Sequence, residues 1–188
     1  MKKREDICKK ALEMFVANGY WQTPMSQIAS AVGLTKAGLY HYFKSKEELL
    51  FVIHEEDLKK NLIPILEQAE KIVDPKERLA WFIKAFTKRA MAADPSMKVL
   101  IHEVGNLKPQ HQKEIQSVWK RTLDLLRNAL AELEKTGGSK KFNKSFAAFA
   151  ALGMCSWTLY WFDYDRKESA DELAETFKEI FLNGLIDK

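Results

Sequence analysis

Apolar residues return every three or four positions along almost the whole chain, and no segment alternates apolar with polar positions between hairpin turns. Ile7, Cys8, Ala11, Leu12 and Phe15 form the first stripe, and Asn18-Gly19 closes it, which predicts an opening helix. Thr23 reads as an N-cap with Pro24 at the first helical position; Ile28, Ala29 and Val32 then give a stripe of about two turns before Gly33 permits a left-handed stop. Thr35 caps a third helix in which Leu39 and Phe43 share one face, leaving Lys36, Ala37, Tyr40 and His41 on the others. Ser45 with Glu48 makes a capping box, so a fourth helix starts at Lys46 and carries Leu49, Leu50 and Ile53. Beyond it, Pro64, Asp74-Pro75, Asp94-Pro95, Gly105, Pro109 and Gly137-Gly138 punctuate the pattern. The helices expected there cover about 46–72 with a kink near Pro64, then 75–93, 96–104, 109–135, 144–164 and 170–185. Nine helices and no strand define an all-α chain.

The stretch from Thr23 to Leu50 places two short helices, a tight turn and a third helix start in close succession, the grammar of a helix-turn-helix DNA reader. With the opening helix as a brace it forms a three-helix domain, expected at residues 1–46. A six-helix domain follows at 47–188.

The residues Gly19, Tyr20, Thr23, Ile28, Ala29, Gly33, Leu34, Thr35, Leu39, Tyr40, Phe43, Lys46 and Leu49 stand at fixed spacing. In that pattern the N-terminal quarter resembles the TetR family of transcriptional regulators. Val32 departs from the usual Ala, Ala37-Gly38 shifts the usual glycine by one place, and Tyr42 stands where His is common. The resemblance implies a regulator that binds a palindromic operator as a homodimer. In such a reader Thr35, Lys36, Gly38 and Tyr40 face the groove, while Tyr40, His41 and Lys46 position phosphates. Lys36 is best able to reach guanine edges, and Thr23 with the helix N-termini supplies further phosphate donors. Ala37 and Gly38 have little to hydrogen-bond with, so they allow close backbone approach or touch a thymine methyl.

Charge supports this placement. The net charge is +4, and the first 50 residues hold eight Lys or Arg against five acids, which is +3 in that portion alone. Hydrophobic residues at 46% and charged residues at 30% fit a globular chain with a real core. Cys8 and Cys155 lie far apart on apolar faces and are expected as buried thiols of a cytoplasmic protein. His102, Glu103 and His111 do not fall at metal-ligand spacing, so neither a metal nor a cofactor is expected. The apolar run Phe146–Phe162 is broken by Gly153, Ser156 and Thr158, which argues against a membrane helix. No G-x-S-x-G elbow, Walker loop, H-E-x-x-H or C-x-x-C gives an enzyme reading an address.

The C-terminal part carries the remaining chemistry. Residues from Trp119 onward are similar to TetR members that sense fatty acids, acyl-CoA thioesters or related hydrophobic intermediates. Phe82, Phe86, Trp119, Met154, Trp157 and Trp161 either line an effector pocket or simply fill the core. Arg121 could meet an effector carboxylate or phosphate, pair with an acid such as Glu103 or Asp163, or lie in solvent. The helix at 144–164 is apolar on most sides, so a second subunit is expected to cover part of it. Ala147, Ala151, Phe177, Ile180 and Phe181 are the expected interface residues. The competing readings are a DNA-binding helical protein without an effector and a helical lipid or small-molecule carrier.

Overall fold

The computed structural model describes residues 2–92, 96–137, 140–161 and 169–185, and among them helices are the only regular elements. They are α1 (Lys2–Asn18), α2 (Met25–Ala31), α3 (Lys36–Tyr42), α4 (Lys46–Asp57), α5 (Ile63–Glu70), α6 (Pro75–Ala92), α7 (Ser96–Glu103), α8 (Pro109–Lys135), α9 (Lys144–Trp161) and α10 (Ala170–Leu185). The helix expected over 46–72 is thus two α-helices. A π-helical turn, Leu58–Leu62, joins them and Pro64 follows in the first turn of α5. Proline has no N–H to donate and its ring crowds the carbonyl four residues back, and the wider turn relieves both effects.

Local signals account for most helix ends. The Thr35 hydroxyl accepts from the Gly38 N–H at 3.0 Å and the Ser45 hydroxyl from the Glu48 N–H at 3.0 Å. The reciprocal arm of the box reaches one residue further back, because the Glu48 carboxylate accepts from the Lys44 N–H at 2.7 Å. Asp74 caps α6 through the Glu77 N–H, and Ser169 caps α10 through the Glu172 N–H. Gly33 has φ +69° and closes α2, with the Leu34 N–H returning to the Ala29 carbonyl at 2.8 Å.

The start of α2 differs from expectation. Pro24 itself occupies the N-cap in extended conformation, and Thr23 lies outside the helix and is completely buried. Its hydroxyl turns back to the preceding loop, donating toward the Gly19 carbonyl at 2.8 Å with the Met14 carbonyl at 3.3 Å.

The chain forms two compact units, and neither follows the expected boundary at residue 46. Unit 1 contains residues 1–58 together with 94–116, and unit 2 contains 59–93 with 117–188. In unit 1 α1 packs on α2, α4 and α7, and α2 packs on α3. The core there is built from Ile7, Phe15, Ile28, Leu39, Phe43, Leu49 and Leu50, all fully or almost fully buried, each worth about 1.5–3 kcal/mol. In unit 2 α6 is central, flanked by α5, α9 and α10. Leu79, Phe82, Ile83, Phe86 and Ala90 supply its buried face. Cys8 and Cys155 are both free thiols and buried. Among the described residues no helix is long and apolar enough to cross a membrane.

Candidate nucleic-acid interface

Helix α3 is anchored by one apolar edge. Leu39 and Phe43 are wholly buried, so the remaining faces are held outward in a fixed rotation. Lys36, Ala37, Tyr40, His41 and Tyr42 are exposed, and Thr35 is exposed at the N-cap. Gly38 has a reason internal to the helix: a Cβ there would lie 3.3 Å from the Thr35 hydroxyl that caps it. The glycine keeps that cap tight, which leaves the backbone amides of the first turn ordered at an exposed helix N-terminus.

The basic residues around α3 are used unequally. Lys36 extends into solvent, whereas Lys46 is drawn inward, its Nζ 4.3 Å from the Tyr20 ring centroid and 3.5 Å from the Trp21 carbonyl. Burial pulls the Lys46 pKa below its ordinary value, with Glu103 acting the other way. Beneath it Tyr20 is buried edge-on to Phe15, and desolvation, with Glu47 and Glu103 adding to it, pushes its phenol up to about 12. Lys46 therefore couples its charge to an aromatic shelf, a cation–π arrangement that holds the start of α4 against α1. Lys3 donates from Nζ to the Val32 carbonyl at 2.6 Å, and the Arg4 guanidinium lies 5.0 Å from the Phe43 ring centroid. These contacts tie the basic N-terminus to the ends of α2 and α3.

Of the expected DNA-facing residues, Thr35, Lys36, Ala37, Tyr40 and His41 share one exposed helix start and its flanks. Thr23 does not join them, because its side chain is buried and both its donors are committed: the hydroxyl to carbonyls and the backbone N–H to the Tyr20 carbonyl. Three further side chains are exposed near them. Trp21 is 71% exposed beside Lys46, Tyr42 is exposed at the end of α3, and Lys44 is exposed in the turn before α4. Tyr20 and Trp21 are adjacent aromatic residues in this turn, and the sequence alone does not say that the first is buried and the second exposed.

The expected effector residues separate into distinct environments of unit 2. Phe82 and Phe86 are fully buried and stacked, with centroids 5.4 Å apart, and Trp119 meets Phe86 edge-on at 6.3 Å. Met154 is half-buried, while Trp157 is 62% exposed and is not core at all. The side chain of Trp161 lies outside the described residues. Arg121 forms a bidentate pair with Glu70 at 2.8 and 2.6 Å, an acid not among its expected partners; Asp163 lies outside the described residues. The pairing draws the Glu70 carboxyl below its ordinary range and raises Arg121. An open groove of about 560 Å³ runs along this pair, lined also by Arg78, Lys120, Asp124 and Asn128.

The expected interface residues also divide. Ala151 and Phe181 are buried within their own unit, Ala147 and Phe177 are half-buried, and Ile180 is exposed. The uncovered face of α9 carries Phe146, Phe149, Ala150, Gly153, Trp157 and Tyr160, a stripe at spacings of three and four. Its small residues are therefore Ala150 and Gly153, while Ala148 and Ala151 face inward.

Comparison with known proteins places both units in one setting. Residues 7–53 match the family model for bacterial regulatory proteins of the tetR family, and residues 73–185 match that of the tetracyclin repressor-like C-terminal domain. A similar protein is the fatty acid metabolism regulator protein of Bacillus subtilis (strain 168), 26% identical over 97% of this chain and 95% of its own length. Among solved structures, AibR in complex with isovaleryl coenzyme A and operator DNA superimposes with a TM-score of 0.86 at 26% identity, covering 95% of this chain and 97% of that one. PfmR from Thermus thermophilus, a TetR family transcriptional regulator, gives 0.84 at 30% identity over 94% and 97%.

Proposed function

We propose, for a chain that belongs to the TetR family of bacterial regulatory proteins, a cytoplasmic repressor that grips a palindromic operator as a homodimer and releases it on binding an acyl-CoA thioester. The observation that carries the ligand pair of this reading is the likeness over nearly the full chain to AibR, solved in complex with isovaleryl coenzyme A and operator DNA; operator titration with acyl-CoA tests the direction of the response. The Bacillus relative, a regulator of fatty acid metabolism, points to the same effector chemistry.

In this reading the N-terminus of α3 enters the major groove. Lys36 reaches for guanine N7 and O6, Ala37 meets a thymine methyl, and Tyr40 and His41 donate to phosphates with Thr35 at the cap. Lys46 contributes less than its position suggests, because Tyr20 and the Trp21 carbonyl already hold its ammonium. Trp21, next to it, offers its indole N–H to the same strand of phosphates.

Operator symmetry requires a second copy, and the open face of α9 suits one. Phe146, Phe149, Trp157 and Tyr160 together expose roughly 500 Å² of aromatic side chain, against about 800 Å² per partner in a standard interface. Ile180 on α10 is a further exposed apolar side chain. Reading the two half-sites of one palindrome requires recognition helices about 34 Å apart, one turn of DNA. Native mass spectrometry of the purified protein tests the reading: a dimer that carries a copurified acyl-CoA supports it, and a ligand-free monomer that still binds DNA removes both the dimer and the effector.

A further inference from the structure

Helix α8 begins in one unit and ends in the other: residues 109–116 fold with the reader and residues 117–135 with unit 2. At its beginning lies a side-chain cluster that the DNA-facing surface does not use. The Glu47 carboxylate, from the first turn of α4, accepts at Oε1 from the Lys108 backbone N–H at 3.0 Å and meets His111 Nδ1 at 2.6 Å. The His111 ring lies flat on Phe51 of α4, with centroids 3.8 Å apart and planes within 5°. Lys108 Nζ stands 3.6 Å from the other carboxylate oxygen, which is buried and has no hydrogen-bond partner.

Two features of this cluster point to a role beyond packing. First, one carboxylate sits at the N-terminal ends of two helices, α4 and α8, where its charge favours both. Second, the turn it anchors is also the turn that fixes α3. Glu48 beside it accepts from the Lys44 N–H and donates its own N–H to Ser45, which closes the three-residue connection after the recognition helix. Any shift of the α8 start must therefore be taken up by Glu47, and through Ser45 and Glu48 it reaches Phe43. The unsatisfied oxygen carries a desolvation cost, which the bonds of the other oxygen to Lys108 and His111 and the nearby Lys108 ammonium offset.

We propose that Glu47 and His111 are the positioning pair through which α8 sets the presentation of recognition helix α3. The pair touches neither DNA nor effector; it couples them. This assignment rests on the acyl-CoA-responsive reading above, and the test separates the two. Wild type, Glu47→Gln and His111→Gln are compared as full-length proteins in two measurements. In amide hydrogen exchange without ligand, residues 44–49 of both variants should exchange at least about threefold faster than in wild type, with α6, α9 and α10 unchanged. In operator titrations with isovaleryl-CoA and longer acyl-CoAs, wild type should lose affinity by about 5- to 150-fold, and both variants by less than about threefold while binding the thioester normally. The two substitutions alter opposite ends of one contact, so a folding failure in one leaves the other to decide. Wild-type exchange rates at 44–49 in both variants, or an undiminished effector response, overturns the pair. A wild-type protein indifferent to every acyl-CoA overturns the effector instead, and the exchange data then judge the pair alone.

Discussion

Replacing His54 by Leu should remove most of the acid sensitivity of unit 1 that arises above pH 4.5. His54 lies on α4, is only 4% exposed, and its Nε2 has no hydrogen-bond partner in the protein. Burial drives its pKa down from 6.5 to about 4, with Asp57 acting the other way. The sign follows from proton binding. Above pH 6.5 the imidazole is neutral in both folded and unfolded chains and contributes no pH dependence. Between 6.5 and 4 the unfolded chain takes up a proton that the folded chain refuses, so stability falls as pH falls. Below 4 both forms are protonated and the loss levels off. Each pH unit inside the window costs about 1.4 kcal/mol, so lowering pH from 7 to 5 removes about 2 kcal/mol and the full window about 3. Leucine has no titrating group and is close to histidine in volume, and it also removes an unsatisfied buried nitrogen worth about 1–3 kcal/mol. Urea unfolding at pH 7, 6 and 5, at one fixed protomer concentration, reads the difference directly. Wild type should become less stable by about 2 kcal/mol relative to the variant between pH 7 and 5, whereas parallel pH profiles would refute the buried neutral imidazole.

Three other outcomes follow from the same structure. Thr23→Val should leave the DNA surface intact but destabilise unit 1 by about 1 kcal/mol in chemical denaturation, because a buried hydroxyl loses its bond to the Gly19 carbonyl; weakened DNA binding at unchanged stability would restore Thr23 to the interface. Phe149→Glu or Trp157→Glu should shift sedimentation from dimer to monomer, and an unchanged dimer would place the interface elsewhere. Tyr40→Phe should weaken all DNA sequences alike, whereas Lys36→Ala should relax preference at one base pair, worth about 1–3 kcal/mol. Competition binding with substituted duplexes distinguishes these, and equal effects on every duplex would take base reading away from Lys36.

What was legible in the chain was whatever is decided within a few residues. Thr35 and Ser45 announce helix starts because each hydroxyl meets the amide three residues on. Gly33 announces the turn because only its φ is needed there. Thr23 misleads by the same logic: Thr-Pro has the form of a cap, but the hydroxyl found carbonyls in the preceding loop. Pro64 fixed the place of the break in the fourth helix without revealing that a π-turn would absorb it. Long-range choices were not legible. Arg121 pairs with Glu70 at a separation of 51 residues, and residues 94–116 join the reader across the intervening helices. On α9, apolar residues occupy nearly the whole circumference, so periodicity could not say which alanines face inward. Sequence placed Ala151 at the interface, and packing put it in the core beside the α6 face.

The measurement that bears most directly on the whole account is operator affinity with and without an acyl-CoA. Genomic fragments captured by the purified protein supply the duplex, and fluorescence anisotropy at fixed salt gives Kd across a series from isovaleryl- to palmitoyl-CoA. At least one thioester should weaken binding by about 5- to 150-fold, while free coenzyme A does so far less. A Kd that stays constant across the series, with a thioester demonstrably bound, would contradict it.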